Sequence, residues 1–124
     1  MDKDDATHFN DALRAGNHIL DFVENLEFET FDNNELCCSA VERKFEIIGE
    51  ALRRVRDSNS NLLEENWTEA RQAIAFRNRL AHGYDKIDNG IMWGIIKGPL
   101  PILLSTISKH LSDFDKENKP NSPS

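Results

Sequence analysis

The stretch "VERKFEIIGEALRRV", residues 41–55, decides the fold class. Its apolar residues Val41, Phe45, Ile48, Leu52 and Val55 recur at steps of four, three, four and three, which is the spacing of one face of an α-helix. No segment of the chain alternates with period two, so no strand is predicted. Asp32 or Asn33 can cap this helix, which continues to about Arg56. Upstream, a helix is predicted from about Asp4 to Glu27, with Phe9, Leu13, Ile19, Leu20, Val23 and Leu26 on one side. "FETFDNNE", residues 28–35, reads as the loop between the two. Downstream, Trp67 and Thr68 open a third helix, with Thr68 as its cap, and Gly83 stops it. Asp88 or Asn89 can cap a further helix through "IMWGIIKGPLPILLSTISKHLSDF", residues 91–114, where Gly98, Pro99 and Pro101 should kink or split it. The expected architecture is an all-α, antiparallel bundle of four or five helices. The domain should occupy residues 1–114, and the polar stretch 115–124 reads as a disordered tail.

Composition narrows the function classes. The 124 residues suffice for one hydrophobic core. No apolar run approaches the roughly 20 residues of a membrane span, and the N-terminal stretch has no signal-peptide pattern, which points to a cytoplasmic protein without a membrane partner. Cys37 and Cys38 are adjacent, a geometry that strains a disulfide, and are expected to be reduced packing residues. The net charge of -7 argues against nucleic acid at first sight, but its distribution is uneven. Residues 43–86 carry nine Lys and Arg against seven Asp and Glu, whereas the remainder carries six against fifteen. That asymmetry permits RNA at one face; a solvated surface of mixed charge gives the same count.

The chemically dense stretch is "AFRNRLAHGYDKID", residues 75–88. Trp67, Ala70, Ile74, Arg77 and Ala81 form the core-facing stripe of the third helix, so Arg77 points to a face that should be buried. A guanidinium does not lose its proton, and it must either find a carboxylate, extend its charged end to water, or open onto a polar cleft. Glu50, on the stripe Arg43, Ile47, Glu50, Arg54, is the candidate partner. A fully buried pair would make Glu50→Ala cost about 3 kcal/mol or more. His82 follows Arg77 by five residues, about 140° around a regular helix. It can complement the helix dipole, or, with Gly83 ending the helix, swing toward a cleft or a second copy. His8, His18, His82 and His110 are widely separated, with no H-x-x-x-H spacing or paired carboxylates, so no metal or other cofactor is predicted.

"RNRLAHGY", residues 77–84, resembles the R-x-x-x-x-H-x-Y signature of HepT-type toxins of the HEPN superfamily. "AVERKFEIIGEAL" (40–52), "GYDKID" (83–88) and "IMWGIIKGPLPILL" (91–104) are similar to what such proteins carry in the same order, so the resemblance covers about residues 8–112; "GPLP" has more glycine and proline than expected there. The resemblance implies a homodimeric, metal-independent endoribonuclease in which two arginine-histidine sets share one cleft. Arg77 and His82 fall on its catalytic positions, Asn78 on the polar position after the arginine, and Tyr84 on the motif tyrosine. It also implies a nucleotidyltransferase antitoxin as partner, able to transfer AMP to Tyr84. These residue types suit RNA cleavage, because the 2′-OH is an internal nucleophile and the protein needs to supply only proton transfer and charge stabilisation. The competing reading is a non-catalytic module that binds nucleotide or substrate for a nucleotidyltransferase.

Overall fold

The computed structural model describes residues 2–59, 67–82 and 87–118, and within them the chain forms six helices and no strand. They are α1 (Lys3–Val23), α2 (Phe28–Asp32), α3 (Glu35–Ser58), α4 (Thr68–His82), α5 (Asn89–Lys97) and α6 (Pro99–Asn118). Helix α1 is antiparallel to α3. At one end of the pair, Ser58 Oγ donates to the buried Asp5 carboxylate at 2.6 Å; at the other, the Cys37 thiol lies 3.8 Å from the Phe22 carbonyl. The same helix runs antiparallel to α6, with Gly16 under Leu104 and Phe9 beside His110. A Cβ at residue 16 would overlap the Leu104 side chain, so this glycine sets how closely α6 seats. One core unites these helices, with Phe9, Ile19, Ile48, Leu52, Met92, Ile96 and Ile107 at or near zero exposure.

The predicted all-α bundle is present, with differences in detail. The segment expected to be a loop contains the single-turn α2, which buries Phe31 completely. Five residues are too few to display a helical period. Phe31 is held by packing, with its ring 5.1 Å from that of Trp93 and its carbonyl accepting from the Cys38 thiol at 3.1 Å. Because α2 uses Asp32 and Asn33 at its own end, the cap of α3 is Asn34 instead, whose side chain accepts from Cys37 N at 3.0 Å. Helix α1 stops at Val23 rather than near Glu27, and Asn25 has a φ of 65°. Asparagine tolerates that left-handed conformation better than most residues, and it turns the chain while Leu26 still packs on the core.

Thr68 is the first residue of α4 rather than its cap. Asp88 caps α5, accepting from Gly90 N at 2.6 Å. The apolar C-terminal segment splits at Gly98 with a bend of 41°. Pro99 and Pro101 fall in the first turn of α6, where backbone N–H groups have no intrahelical acceptor to lose. Helix α6 continues past Phe114 to Asn118; the remaining tail, 119–124, lies outside the described residues. Among the described residues no single helix is long and apolar enough to cross a membrane.

His110 is a polar residue committed to this core. Its ring meets Phe9 at 5.3 Å and Trp67 at 5.4 Å, both edge-on, and its Nε2 is buried with no hydrogen-bond partner among the described residues. Burial lowers its pKa from the ordinary 6.5, against the opposing pull of Asp113 and Glu117. The unfolded chain therefore binds this proton at a higher pH than the folded one, so stability should fall as pH drops below 6.5 toward the folded pKa. Chemical denaturation at pH 7.5 and 5.5 should show lower stability at the lower pH, and His110→Leu should flatten that dependence.

Candidate functional site

Arg77 owes its position to a close approach of two helices. At residue 49, a Cβ would overlap the Cβ of Arg77 and come within 3.0 Å of the Ala73 carbonyl, so α4 crosses α3 directly over Gly49. Below this crossing, Phe45 and Phe76 pack edge-to-face at 5.2 Å. The core face of α4 differs from the predicted stripe. Trp67, Ala70 and Ile74 are buried as expected, but Phe76 is buried too, Ala73 and Leu80 pack on the core, and Ala81 is exposed. Helix α4 packs on both α3 and α6, and the wedge between them widens its apolar face beyond one stripe. Arg77 consequently lies at the edge of that face, its side chain 30% exposed.

Glu50 reaches Arg77, with its Oε2 3.5 Å from Arg77 Nη2. It is not a dedicated partner. Arg53 binds the same carboxylate bidentately at 2.6 and 3.1 Å, and Arg54 Nε approaches at 3.3 Å. The hydrogen bonds from Arg53 are the largest influence, and with smaller contributions from Arg54 and Arg77 they outweigh desolvation and lower the Glu50 pKa to about 2. The expectation of a buried pair is thus corrected to a half-exposed cluster of three arginines around one carboxylate, with Glu50 29% exposed. Arg53 and Arg54 are three and four residues beyond Glu50, a spacing at which helix side chains meet, so this competition was open to a reading of the sequence.

Arg77 and Glu50 also border a polar groove of about 390 Å³, floored by α3 and walled by α1. His82 and Asn78 do not line it; both are exposed, and α4 remains helical through His82. The regular helix directs the side chains of Arg77 and His82 about 140° apart. Tyr84 and Gly83 lie outside the described residues. Among the described residues, no three His, Cys, Asp or Glu side chains are grouped to hold a metal ion. Gly49 was not among the predicted site residues. Its signal was a glycine inside a strongly periodic helix, which commonly marks close backbone approach.

The sequence profile described as "Ribonuclease HepT-like" matches residues 12–110. A protein of Methanocaldococcus jannaschii named "Putative RNase MJ1380" is 34% identical over 103 residues, which are 82% of this chain and 92% of that one. A protein of Thermococcus cleftensis named "Probable ribonuclease HepT" is 28% identical over 110 residues, covering 88% of this chain and 97% of its own. No solved structure matches significantly. The chain belongs to the ribonuclease HepT-like family, and its activity class is that of a ribonuclease.

Two variants test the packing around Arg77. Gly49→Ala gains up to about 1 kcal/mol of helix propensity, but it drives a methyl group into the α3–α4 crossing, and overpacking costs about 1–3 kcal/mol. A net loss of stability is expected in urea denaturation, together with weakened RNase activity. Glu50→Ala should cost only about 1 kcal/mol at neutral pH, as for a partly exposed ion pair. Because the folded pKa is the depressed one, that contribution is present above 4.5 and declines as pH falls toward about 2, so the difference between wild type and Glu50→Ala should narrow below pH 4.5.

Proposed function

We propose that the protein is a metal-independent endoribonuclease that cleaves RNA by attack of the 2′-OH on the adjacent phosphate, with Arg77 and His82 as its catalytic residues. The observation that carries this reading is the placement of Arg77, pinned over Gly49 and sharing its carboxylate with two other arginines, so that its guanidinium borders a polar groove with capacity for a phosphate. Arg77 holds the scissile phosphate and stabilises the charge that builds on its oxygens. His82 moves the proton, and Asn78 orients the phosphate or the imidazole. The products are a 2′,3′-cyclic phosphate and a 5′-hydroxyl.

Within one subunit His82 leaves α4 away from the groove, so the complete site takes its histidine across a homodimer. Support for such a dimer comes from an apolar groove of about 320 Å³ beside α4, lined by Phe45, Phe76, Arg79, Ile91, Ile95 and Leu103. Ile91 is 43% exposed there in the single chain. A second copy seated on that face brings the two α4 helices, and with them both motifs, close together.

The resemblance of "RNRLAHGY" to HepT-type toxins supports a further part of this reading, in which the enzyme is the toxin of a toxin-antitoxin pair acting in the cytoplasm and is neutralised by a nucleotidyltransferase that transfers AMP from ATP to Tyr84. An AMP group beside Arg77 and His82 excludes substrate phosphate by bulk and by like charge. A second reading draws on the exposure of His82 outside the groove: a binding module in which Arg77 holds a nucleotide phosphate for a nucleotidyltransferase and no cleavage occurs.

Turnover separates the two. Wild-type protein incubated with RNA in EDTA should yield fragments with cyclic phosphate ends, and Arg77→Ala and His82→Ala should each lower the rate by about 100-fold or more while remaining folded. Full activity in His82→Ala removes the proton-transfer role, and an inactive wild type leaves the binding module. Tyr84→Phe should still cleave RNA but escape neutralisation by the partner and ATP; undiminished AMP incorporation, read by intact mass, would place the acceptor elsewhere.

A further inference from the structure

The groove that reaches Arg77 extends well beyond it, along a face that the proposed chemistry does not use. Five cations line it: Arg14 from α1, Arg43, Lys44 and Arg54 from α3, and Arg77 from α4. Three carboxylates oppose them, Asp11, Glu46 and Glu50. The groove thus carries a local excess of two positive charges, histidines left out of the count, on a chain whose net charge is -7 counted the same way. Glu46 is engaged by Arg43 at 3.4 Å, and Glu50 by its arginine cluster. Arg14 and Lys44 have no ion-pair partner among the described residues, so their charges remain available to a ligand.

The layout is linear. His8, Asp11, Arg14 and His18 are spaced three, three and four residues apart, which puts them on one side of α1. Opposite them, the span from Arg43 to Arg54 follows α3 for about 16 Å. A row of cations of that length, with Arg77 at its border, suits a chain of phosphates better than a single anion. Two imidazole rings on the facing wall add flat surfaces of the kind on which unpaired bases stack. The groove offers little to a protein partner, whose affinity would rest on large apolar anchors in a dry pocket. Its aliphatic lining is limited to Ala15, Ile47 and Ala51.

We propose that the α1–α3 groove is the binding track for the single-stranded RNA flanking the cleaved bond, with Arg14 and Lys44 as its principal phosphate contacts and His8 and His18 as base-stacking surfaces. This rests on the endoribonuclease reading for its substrate, and it assigns to α1 a role in RNA binding that the "RNRLAHGY" motif does not contain. Contacts of this kind act on backbone phosphate and carry no base specificity of their own.

The test uses full-length protein and a fluorescein-labelled 12-nucleotide single-stranded RNA with 2′-O-methyl groups throughout, which blocks the internal nucleophile. Anisotropy titrations between 50 and 200 mM KCl in EDTA give the slope of log K against log[KCl]. The Arg14→Gln, Lys44→Gln double variant should bind about tenfold or more weakly than wild type, with its slope shallower by about 1.4, or 0.7 per lost phosphate contact. Lys109→Gln, an exposed position on α6 outside the groove, should match wild type. A parallel assay follows cleavage of unmodified RNA by wild type. If wild type cleaves RNA but the double variant keeps its affinity and slope, the track is overturned while the nuclease reading stands. Groove-dependent binding without cleavage by wild type upholds the groove as an RNA-binding surface but overturns the nuclease reading and with it the flanking role, and the absence of both overturns the two together.

Discussion

The arrangement of this protein depends on how closely α4 can lie on α3. At Gly49 there is no side chain between the two helices, and the Arg77 stem occupies the space that a Cβ would take. The same contact solves two problems. It allows Phe45 and Phe76 to meet edge-to-face in the core, and it carries a permanently charged side chain past that core to its rim. One turn away on either side the demands differ, since Ile74 is buried and Ala81 is exposed. Arg77 therefore sits at the boundary between a dry interior and a polar groove, where its apolar stem is covered and its guanidinium is accessible.

Electrostatics around that boundary favour an accessible arginine over a neutralised one. A private, fully buried partner for Arg77 would cancel its field and leave little attraction for phosphate. Glu50 instead makes its shortest contacts with Arg53, and Arg77 is the most distant of its three arginines. The carboxylate is thereby held ionised far below neutral pH and still orients Arg77 without saturating its donors. The acidic excess of the chain lies largely outside this region, so a negative net charge coexists with a groove that is locally positive. For encounter with a polyanion, the local field matters more than the total, because charges beyond roughly 10 Å are screened at ordinary salt.

Much of the fold was legible in the residues. The period of Val41, Phe45, Ile48, Leu52 and Val55 required a helix with one buried face, and Asp88 and Gly98 marked a start and a break where the chain has them. Helix periodicity and capping are local, and the sequence states them directly. Helix α2 was not legible, because its five residues are stabilised by Trp93 and Cys38 from elsewhere in the chain. The extent of the core face of α4 was misjudged for a related reason: the width of a buried face depends on how many neighbours a helix has.

For the candidate site, the sequence by itself determined the residue types and their order: an arginine, a histidine and a tyrosine at the spacing R-x-x-x-x-H-x-Y, with a glutamate on the preceding long helix. It also determined that Arg77 had to be reconciled with an apolar face, since a guanidinium cannot become neutral. Only the tertiary structure decided that Arg77 joins Arg53 and Arg54 at Glu50, that Gly49 admits the α4 crossing, and that Arg14 and Lys44 border the same groove as Arg77. The last of these joins residues more than sixty positions apart through the packing of α1 on α3 and α3 on α4. A helix period says which residues share a side of one helix, whereas a groove is made of sides belonging to several, and their juxtaposition is fixed by core packing at positions such as Gly49 and not by the groove residues themselves.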